Sequence, residues 1–422
     1  MPVQIPLEVS RVDNRLTVAG DLGLSSYLRL LAAIHQATDT QGYADVILDF
    51  SSCTAAFSAS MLAVCSQIML LRTRGIDVSI SLPVKDQLRK LFHNCNWANL
   101  LDPNAYDPSN YRGYSHVPAT RFTSPLEQNS AVNAIINTVM GSLSGMDRHD
   151  IAAIEWSLAE ITDNVLNHAR CETGGLVQAT TFEKSRRRVE FVVCDGGATI
   201  PGTLRETHRE ITSDPQALEK AIREGVTRDK NFGQGNGLFG SLEVCRISGG
   251  QFHVHSRNAN LSYYPKFGLH IRRETIPFSG TLVVANIDCS TPGVLQKALK
   301  FGGEEHVPID YVETHYELSG GDLPRFVMRN EASSFGSRLA GEPIKNKLLN
   351  LVSMVVGKRL VIDFEDVALI SSSFADEAFG KLFVELGALR FGQSFEFVNV
   401  SEMVRSLIDK AITQRMTTAR YV

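Results

Sequence analysis

Glu160, Asp163, Asn164, Asn167 and His168 bring the groups used in acid–base and metal chemistry into one short stretch of sequence. Glu160, Asn164 and His168 recur at i, i+4 and i+8, so a helix places them on one face. Ile151, Ile154, Leu158, Ile161 and Val165 define a second face, the one such a helix buries. Asn164 offers a neutral oxygen suited to magnesium, which prefers oxygen ligands and keeps several waters. Glu160, one turn earlier, is placed to take a proton from water or a hydroxyl as a general base. Two glycine turns follow. Asp195 closes the apolar run VEFVVC, where a carboxylate is costly without a partner, and a purine amino group is such a partner. Gly196 and Gly197 permit a tight turn and the close approach of a flat ring. Gly233, Gly235 and Gly237 directly precede a helical pattern, whose unpaired N–H groups and dipole favour phosphate.

These groups need a sheet and helices to hold them. Within residues 123–290 the periodicity predicts helices over Pro125–Leu143 and Arg148–His168, then strands over Leu176–Glu183 and Val189–Cys194 joined by the turn KSRRR. A long charged stretch, Gly202–Phe232, precedes a helix over Leu238–Ile247. Strands resume at Gln251–His255, Phe267–Arg272 and Thr281–Ile287. Helices first and strands afterwards predict a two-layer α+β sandwich.

The flanks follow a different rule. Residues 1–105 alternate strands (Leu16–Gly20, Val46–Phe50, Val78–Leu82) with helices (Ser25–Gln41, Ser58–Arg74, Val84–Asn94), the pattern of an α/β layer. Residues 310–422 repeat it: LVIDF at Leu360–Phe364, a helix from the Ser371–Ser373 run to Arg390, the strand Phe395–Val400 and a helix from Ser401. Asp49-Phe50 falls on Asp363-Phe364, and Ser58 on Ser372. After a small shift Arg89 and Leu91 fall on Arg405 and Leu407, so one fold is predicted to occur twice. Residues 106–122, rich in Pro, Asn, Asp and Tyr, and 291–309 read as linkers.

At 422 residues several domains are expected, and 43% hydrophobic with 21% charged residues fits a globular chain. A net charge of −4 gives no overall basic field for nucleic acid. Seven cysteines without a CxxC pair read as reduced thiols, Cys171 and Cys194 among them as inert ones. No apolar run is long enough for a bilayer span, and MPVQIPLEVS is not a signal peptide, so the chain is expected in the cytoplasm without membrane contact of its own. His253, His255 and His270 lack the spacing of a zinc site, and Arg186–Arg188 reads as a solvated turn.

The helix EITDNVLNHA, the DGG turn, GQGNGLFG and the strand start Ser279-Gly280-Thr281 resemble the GHKL ATPases, the group of gyrase, heat-shock chaperone, histidine kinase and mismatch-repair protein. The ending of that helix in His-Ala looks most like the anti-sigma-factor serine kinases. The resemblance implies a central Bergerat-type α/β sandwich that binds ATP and magnesium. In it Glu160 is the general base, Asn164 the magnesium ligand and Asp195 the adenine contact, with Thr281 beside it. Gly197 lines the base, Gly233, Gly235 and Gly237 hold the phosphates, and Leu238 joins them at the cofactor. Gly202–Phe232 is the expected lid, from which Arg205, Arg209, Arg223, Arg228 or Lys230 could meet a γ-phosphate. Thr199 stands at the last glycine of the usual D-x-G-x-G turn, a departure. The helix Pro125–Leu143 carries no phosphoacceptor histidine, and no transducer domain follows.

Both flanks resemble STAS domains, through VILDFSSCTAAFSASML and VIDFEDVALISSSFADEAFGKL. In the antagonists of that family the corresponding corner carries a serine phosphorylated by the partner kinase, which directs attention to Ser58, Ser60 and Ser371–Ser373. Serines at a helix start are also ordinary caps. The combination is expected in a prokaryotic-type signalling protein. It would be a slow ATPase or a serine kinase acting on a STAS-type partner or its own flank, or else a nucleotide-gated switch that breaks no bond. The expected partners are a STAS-type protein or transcription regulator, and a second copy of the chain.

Overall fold

The computed structural model describes residues 5–183, 187–223, 225–226, 235–318 and 323–418. The N-terminal unit comprises β1 (Glu8–Val12), β2 (Arg15–Leu22), α1 (Tyr27–His35), β3 (Asp45–Asp49), β4 (Cys53–Ala56), α2 (Ser58–Thr73), β5 (Asp77–Ser81), α3 (Asp86–Asn94) and α4 (Trp97–Leu101). Its sheet runs β1-β2-β3-β5, with β4 also pairing to β2. The alternating burial along β2 follows from its alternating sequence RLTVAGDL.

The central unit comprises β6 (His116–Phe122), α5 (Pro125–Ser142), α6 (Arg148–Asn164), β7 (Gly175–Phe182), β8 (Arg188–Asp195), α7 (Ile200–Thr207), α8 (Asp214–Ala221), α9 (Gly237–Ser248), β9 (Gln251–Tyr264) and β10 (Gly268–Asp288). Its antiparallel sheet has the order β6-β7-β8-β10-β9. The two separate strands expected at Phe267–Arg272 and Thr281–Ile287 are one strand, β10, bent by register shifts between Arg273 and Thr281.

A small antiparallel pair, β11 (Lys300–Phe301) and β12 (Glu304–Glu305), leads to the C-terminal unit. That unit holds β13 (Arg325–Val327), α10 (Met328–Glu331), α11 (Arg338–Met354), β14 (Leu360–Asp363), α12 (Ser372–Ala375), α13 (Lys381–Leu386), α14 (Ala388–Ser394), β15 (Phe395–Val398) and α15 (Glu402–Thr418). Its three strands are parallel, in the order β13-β14-β15. The chain is thus a mixed α/β assembly with several sheets.

The repeat extends to individual hydrogen bonds. Arg15 on β2 pairs in register with Ile47 and bonds Asp49 two residues on at 2.9 Å; Arg325 on β13 pairs with Val361 and bonds Asp363 two residues on at 2.6 Å. The second oxygen of Asp49 accepts from Ser51 N–H at 3.0 Å, and that of Asp363 from Glu365 N–H at 2.9 Å. Phe50 N–H reaches Ser81 O as Phe364 N–H reaches Val398 O, at 2.9 and 3.1 Å. The two flanking units thus share this strand register and these hydrogen bonds.

Two expectations change. The segment taken as a linker at 106–122 contains β6, which pairs with β7 at the sheet edge, so the central unit begins earlier than residue 123. The segment 291–309 is no free linker. Leu295, Ala298 and Leu299 are buried in the core, and the strap 293–317 runs along α6. The central unit is itself a sheet with helices on one face, and its other face is covered from outside. Helices α5, α6 and α9 cover one face of its sheet, and α2 of the N-terminal unit covers the other, against Leu176, Val192, Cys194, Leu282 and Val284. Helix α2 is buried almost all round, from Ala59 to Ile68, because it lies between two sheets.

Candidate functional site

Helix α6 starts at Asp147, whose carboxylate caps His149 N–H at 2.8 Å, and buries Ile151, Ile154, Leu158 and Ile161. That leaves Glu160 and Asn164 at its C-terminal end facing a cleft. A π-turn, Val165–Ala169, continues the helix, and Arg170 leaves it in the left-handed region at φ 49°. The wider turn brings Asn167 and His168 to the same cleft. Ala169 O accepts Ala198 N–H at 2.5 Å, so the helix end is fastened to the turn after Asp195.

That turn explains its glycines. A Cβ on Gly197 would lie 2.1 Å from Ala169 O, and one on Gly196 would lie 2.4 Å from the Leu70 side chain of α2. Gly197 N–H donates to Asp195 Oδ1 at 2.8 Å. Gly197 is not among the residues lining the cleft; it reaches the site through this amide. Thr199 departs from glycine because it caps α7, accepting Gly202 N–H at 3.1 Å, with Pro201 in the first turn.

Across the sheet Asp195 pairs with Thr281, and both point with Val193 and Val283 into the cleft. Gly280 makes the approach possible: its φ is +104°, and a Cβ there would meet Asp195 O at 2.1 Å. Asp195 is 4% exposed. Burial pushes its carboxyl up to about 7, against the downward pull of the Gly197 and Thr281 amides. Glu160 is also pushed up to about 7, by burial and then by the neighbouring Asp163 charge. Asp163 itself accepts from Gln128 Nε2 at 2.7 Å.

The third wall is the start of α9. Gly235 is left-handed at φ +76°, and Gly237 begins the helix where a Cβ would stand 2.5 Å from Glu160 Oε2. Glu160, Asn164, Asp195, Gly235, Gly237, Leu238 and Thr281, chosen from sequence, therefore line one cavity of about 180 Å³. Gly233 lies outside the described residues, as do the lid cations Arg228 and Lys230. Of the other cations expected in a lid, Arg205 pairs with Asp214 at 2.7 Å, Arg223 with Glu219 at 2.7 Å, and Arg209 is exposed.

Sequence reasoning missed several residues that support the site from behind or hold its elements. Ser256, fully buried behind Thr281, bonds it at 3.0 Å. Arg170, which follows the π-turn that carries Asn167 and His168, forms a two-pronged bond to Glu206 on α7. Along the far side of α6, Asp150 accepts Gly293 and Leu295 N–H at 2.6 and 2.8 Å, and Glu155 accepts Tyr311 N–H at 2.7 Å. Arg148 spans Asp310 and Glu317. The Thr199-Ile-Pro sequence was a legible cap signal; the others join residues far apart in the chain and leave none.

The histidines do not converge on a metal. His253 bonds Ser262, His255 bonds Tyr27 and Arg257 O, and His270 bonds Phe267 O. Among the described residues no group of three or more His, Cys, Asp or Glu is arranged to hold a metal ion. All seven cysteines are free thiols, six of them buried. No helix among the described residues is long and apolar enough to cross a membrane. The serine corners differ: Ser60 is buried and donates to Leu22 O at 2.6 Å, Ser371 caps Phe374 N–H at 3.1 Å, and Ser372 is exposed.

Comparison with known proteins is informative at one end of the chain. Residues 340–405, spanning α11 to the start of α15, match the family described as a STAS-like domain of unknown function (DUF4325). The C-terminal unit therefore contains a STAS-like domain over residues 340–405. No curated protein and no solved structure matches the chain.

Proposed function

We propose that the central unit binds ATP with magnesium as a GHKL-type module, and that it hydrolyses ATP slowly or transfers phosphate to a serine of a STAS-type partner. One observation carries this reading. Asp195, a buried carboxylate, ends a strand in a cleft whose opposite wall offers Glu160 and Asn164 and whose end is a helix N-terminus opened by Gly237. The residues fit the ligands. Asp195 and Thr281 suit a purine edge, and the α9 N-terminus suits phosphate. A single Asn164 oxygen is what magnesium takes from a protein when water and phosphate supply the rest.

ATP would supply the phosphoryl group and magnesium the charge neutralisation. Glu160, held near neutrality by burial, would remove the proton of the attacking hydroxyl or water. The N-terminal unit shares the hydrogen-bond register of the C-terminal STAS-like domain, which supports reading it as a second STAS-like domain. Buried Ser60 and capping Ser371 are disfavoured as phosphate acceptors, whereas exposed Ser372 leaves the chain's own C-terminal flank open as an acceptor beside a separate partner.

The second reading is a nucleotide-gated switch without turnover. It is favoured by the strap 293–317, which ties α6 to the C-terminal unit so that a change at Glu160 and Asn164 would be felt there. Incubation with ATP and magnesium followed by ADP detection and mass spectrometry separates the two. Glu160→Gln is expected to retain ATP binding and lower turnover by about 10²–10⁴-fold. Unchanged turnover would remove Glu160 as base, and tight binding without ADP or phosphoprotein in the native chain would establish the switch.

A further inference from the structure

We propose that Ser256 is a positioning residue that fixes which way the Thr281 hydroxyl points, and so makes the cleft select a 6-amino over a 6-oxo purine nucleotide. This deepens the nucleotide-binding reading and rests on it. Ser256 has one proton to donate and two lone pairs to accept with. Three neighbours claim them: Ile200 N–H donates to Ser256 Oγ at 2.9 Å, Gly280 O lies at 3.0 Å, and Thr281 Oγ at 3.0 Å.

Gly280 O can only accept and Ile200 N–H can only donate. All three contacts are satisfied together in one arrangement. Ser256 gives its proton to Gly280 O, takes the Ile200 proton on one lone pair, and takes the Thr281 hydroxyl proton on the other. Turning the Ser256 proton to Thr281 instead would forfeit the bond to Gly280 O, and Ser256 is fully buried, with no water to replace it.

Thr281 consequently meets the cleft with lone pairs only. It pairs across the sheet with Asp195, another acceptor when ionised. A ligand edge that donates, such as an exocyclic amine, is matched by this pair. A carbonyl at the same position sets lone pair against lone pair. The discrimination originates in Ser256, which need not touch the ligand at all.

Calorimetric titration of the full chain with ATP and with ITP, each with magnesium, tests this; ITP replaces the 6-amine by a carbonyl and also carries a proton on N1, so the triphosphate of 6-methoxypurine riboside, which has the oxygen without that proton, is titrated beside it as the control for N1. The native chain is expected to prefer ATP. In Ser256→Ala the Thr281 hydroxyl is free to rotate and donate, so ITP binding should tighten and the ATP:ITP preference fall by about tenfold, the size of one hydrogen bond. Ser256→Thr, which keeps the hydroxyl, should restore the preference. A gain in ITP affinity is a readout that mere loosening of the fold would not give.

An unchanged ratio in Ser256→Ala, or no recovery in Ser256→Thr, overturns the role of Ser256 while leaving nucleotide binding intact. Should Ser256→Ala not fold, Thr281→Val decides: loss of ATP preference supports the inference and an unaltered preference overturns it. Absence of binding by either nucleotide to the native chain overturns the nucleotide reading itself, and this inference with it.

Discussion

At the scale of single residues the site is a set of carboxyl groups kept out of water. Asp195 and Glu160, both pushed up to about 7, bind protons more readily in the folded chain than in the unfolded one. Their contribution to stability is complete below their unfolded values, near 4, and is lost as pH rises through about 7. The ligand-free chain is therefore expected to melt at falling temperature from pH 5 to pH 8. Asp195→Asn should remove part of that slope and raise the melting point at pH 8, while weakening ATP binding by about 10–100-fold, the range for a charged hydrogen bond. Scanning calorimetry across pH checks the first and titration the second. A variant with the native slope would show that Asp195 is ionised without cost. Turnover, if present, should rise with pH through about 7 as Glu160 loses its proton.

At the scale of elements, the site depends on how closely backbone approaches backbone. Gly237 lets the first turn of α9 touch Glu160, and Gly197 lets the Asp195 turn touch the end of α6. Gly237→Ala forces its methyl against Glu160 Oε2 and Cβ, so Glu160 must shift or α9 must retreat. The expected outcome is a stability loss of about 1–3 kcal/mol with a larger relative loss of turnover or nucleotide affinity. Denaturant unfolding and titration of the same preparation separate the two. Equal losses would mean that α9 merely loosened. Capping between elements follows the same logic: α11 closes the C-terminal end of α5, where Asn350 bonds Met140 O, Leu143 O and Met146 N–H and Asn346 bonds Gly141 O. Those carbonyls would otherwise be buried without partners.

At the scale of the molecule, no flank is a loose appendage. One hydrophobic core joins the helical face of the central sheet to the C-terminal unit, and another joins its opposite face to the N-terminal unit. Trp97 Nε1 bonds Gln178 in the sheet at 2.8 Å, and Gln67 bonds Ser279 O at 2.7 Å, next to the glycine that precedes Thr281. At the other junction Lys347, fully buried, pairs with Glu331, 3% exposed, at 2.9 Å, and Tyr114 donates to Glu331 O. Lys347→Met leaves the buried Glu331 charge with only His315 and the Tyr316 hydroxyl beside it and is expected to cost about 3 kcal/mol, whereas Lys347→Met with Glu331→Leu should recover much of it. Denaturant unfolding of both variants measures this. A double variant no better than the single would show that the ion pair, not its desolvation, sets the stability.

The amino-acid sequence determined what is local. The polar face of α6, the Asp-Gly turn and the glycine run before α9 could be read from spacing, because helical periodicity and glycine's backbone freedom act within a few residues. The similar strand–turn–helix spacing of the two flanks was equally legible, since Asp49 and Asp363 each sit nine residues before a helix start. The tertiary structure decided what faces what. It seats α2 on the back of the central sheet, packs the expected linker 291–309 into a strap along α6 that runs on to residue 317, and pairs β6 with β7. It also brings Ser256 and Arg170 to partners 25 and 36 residues away. Such pairings are set by strand register and by which apolar faces meet, and neither leaves a periodic signal along the chain.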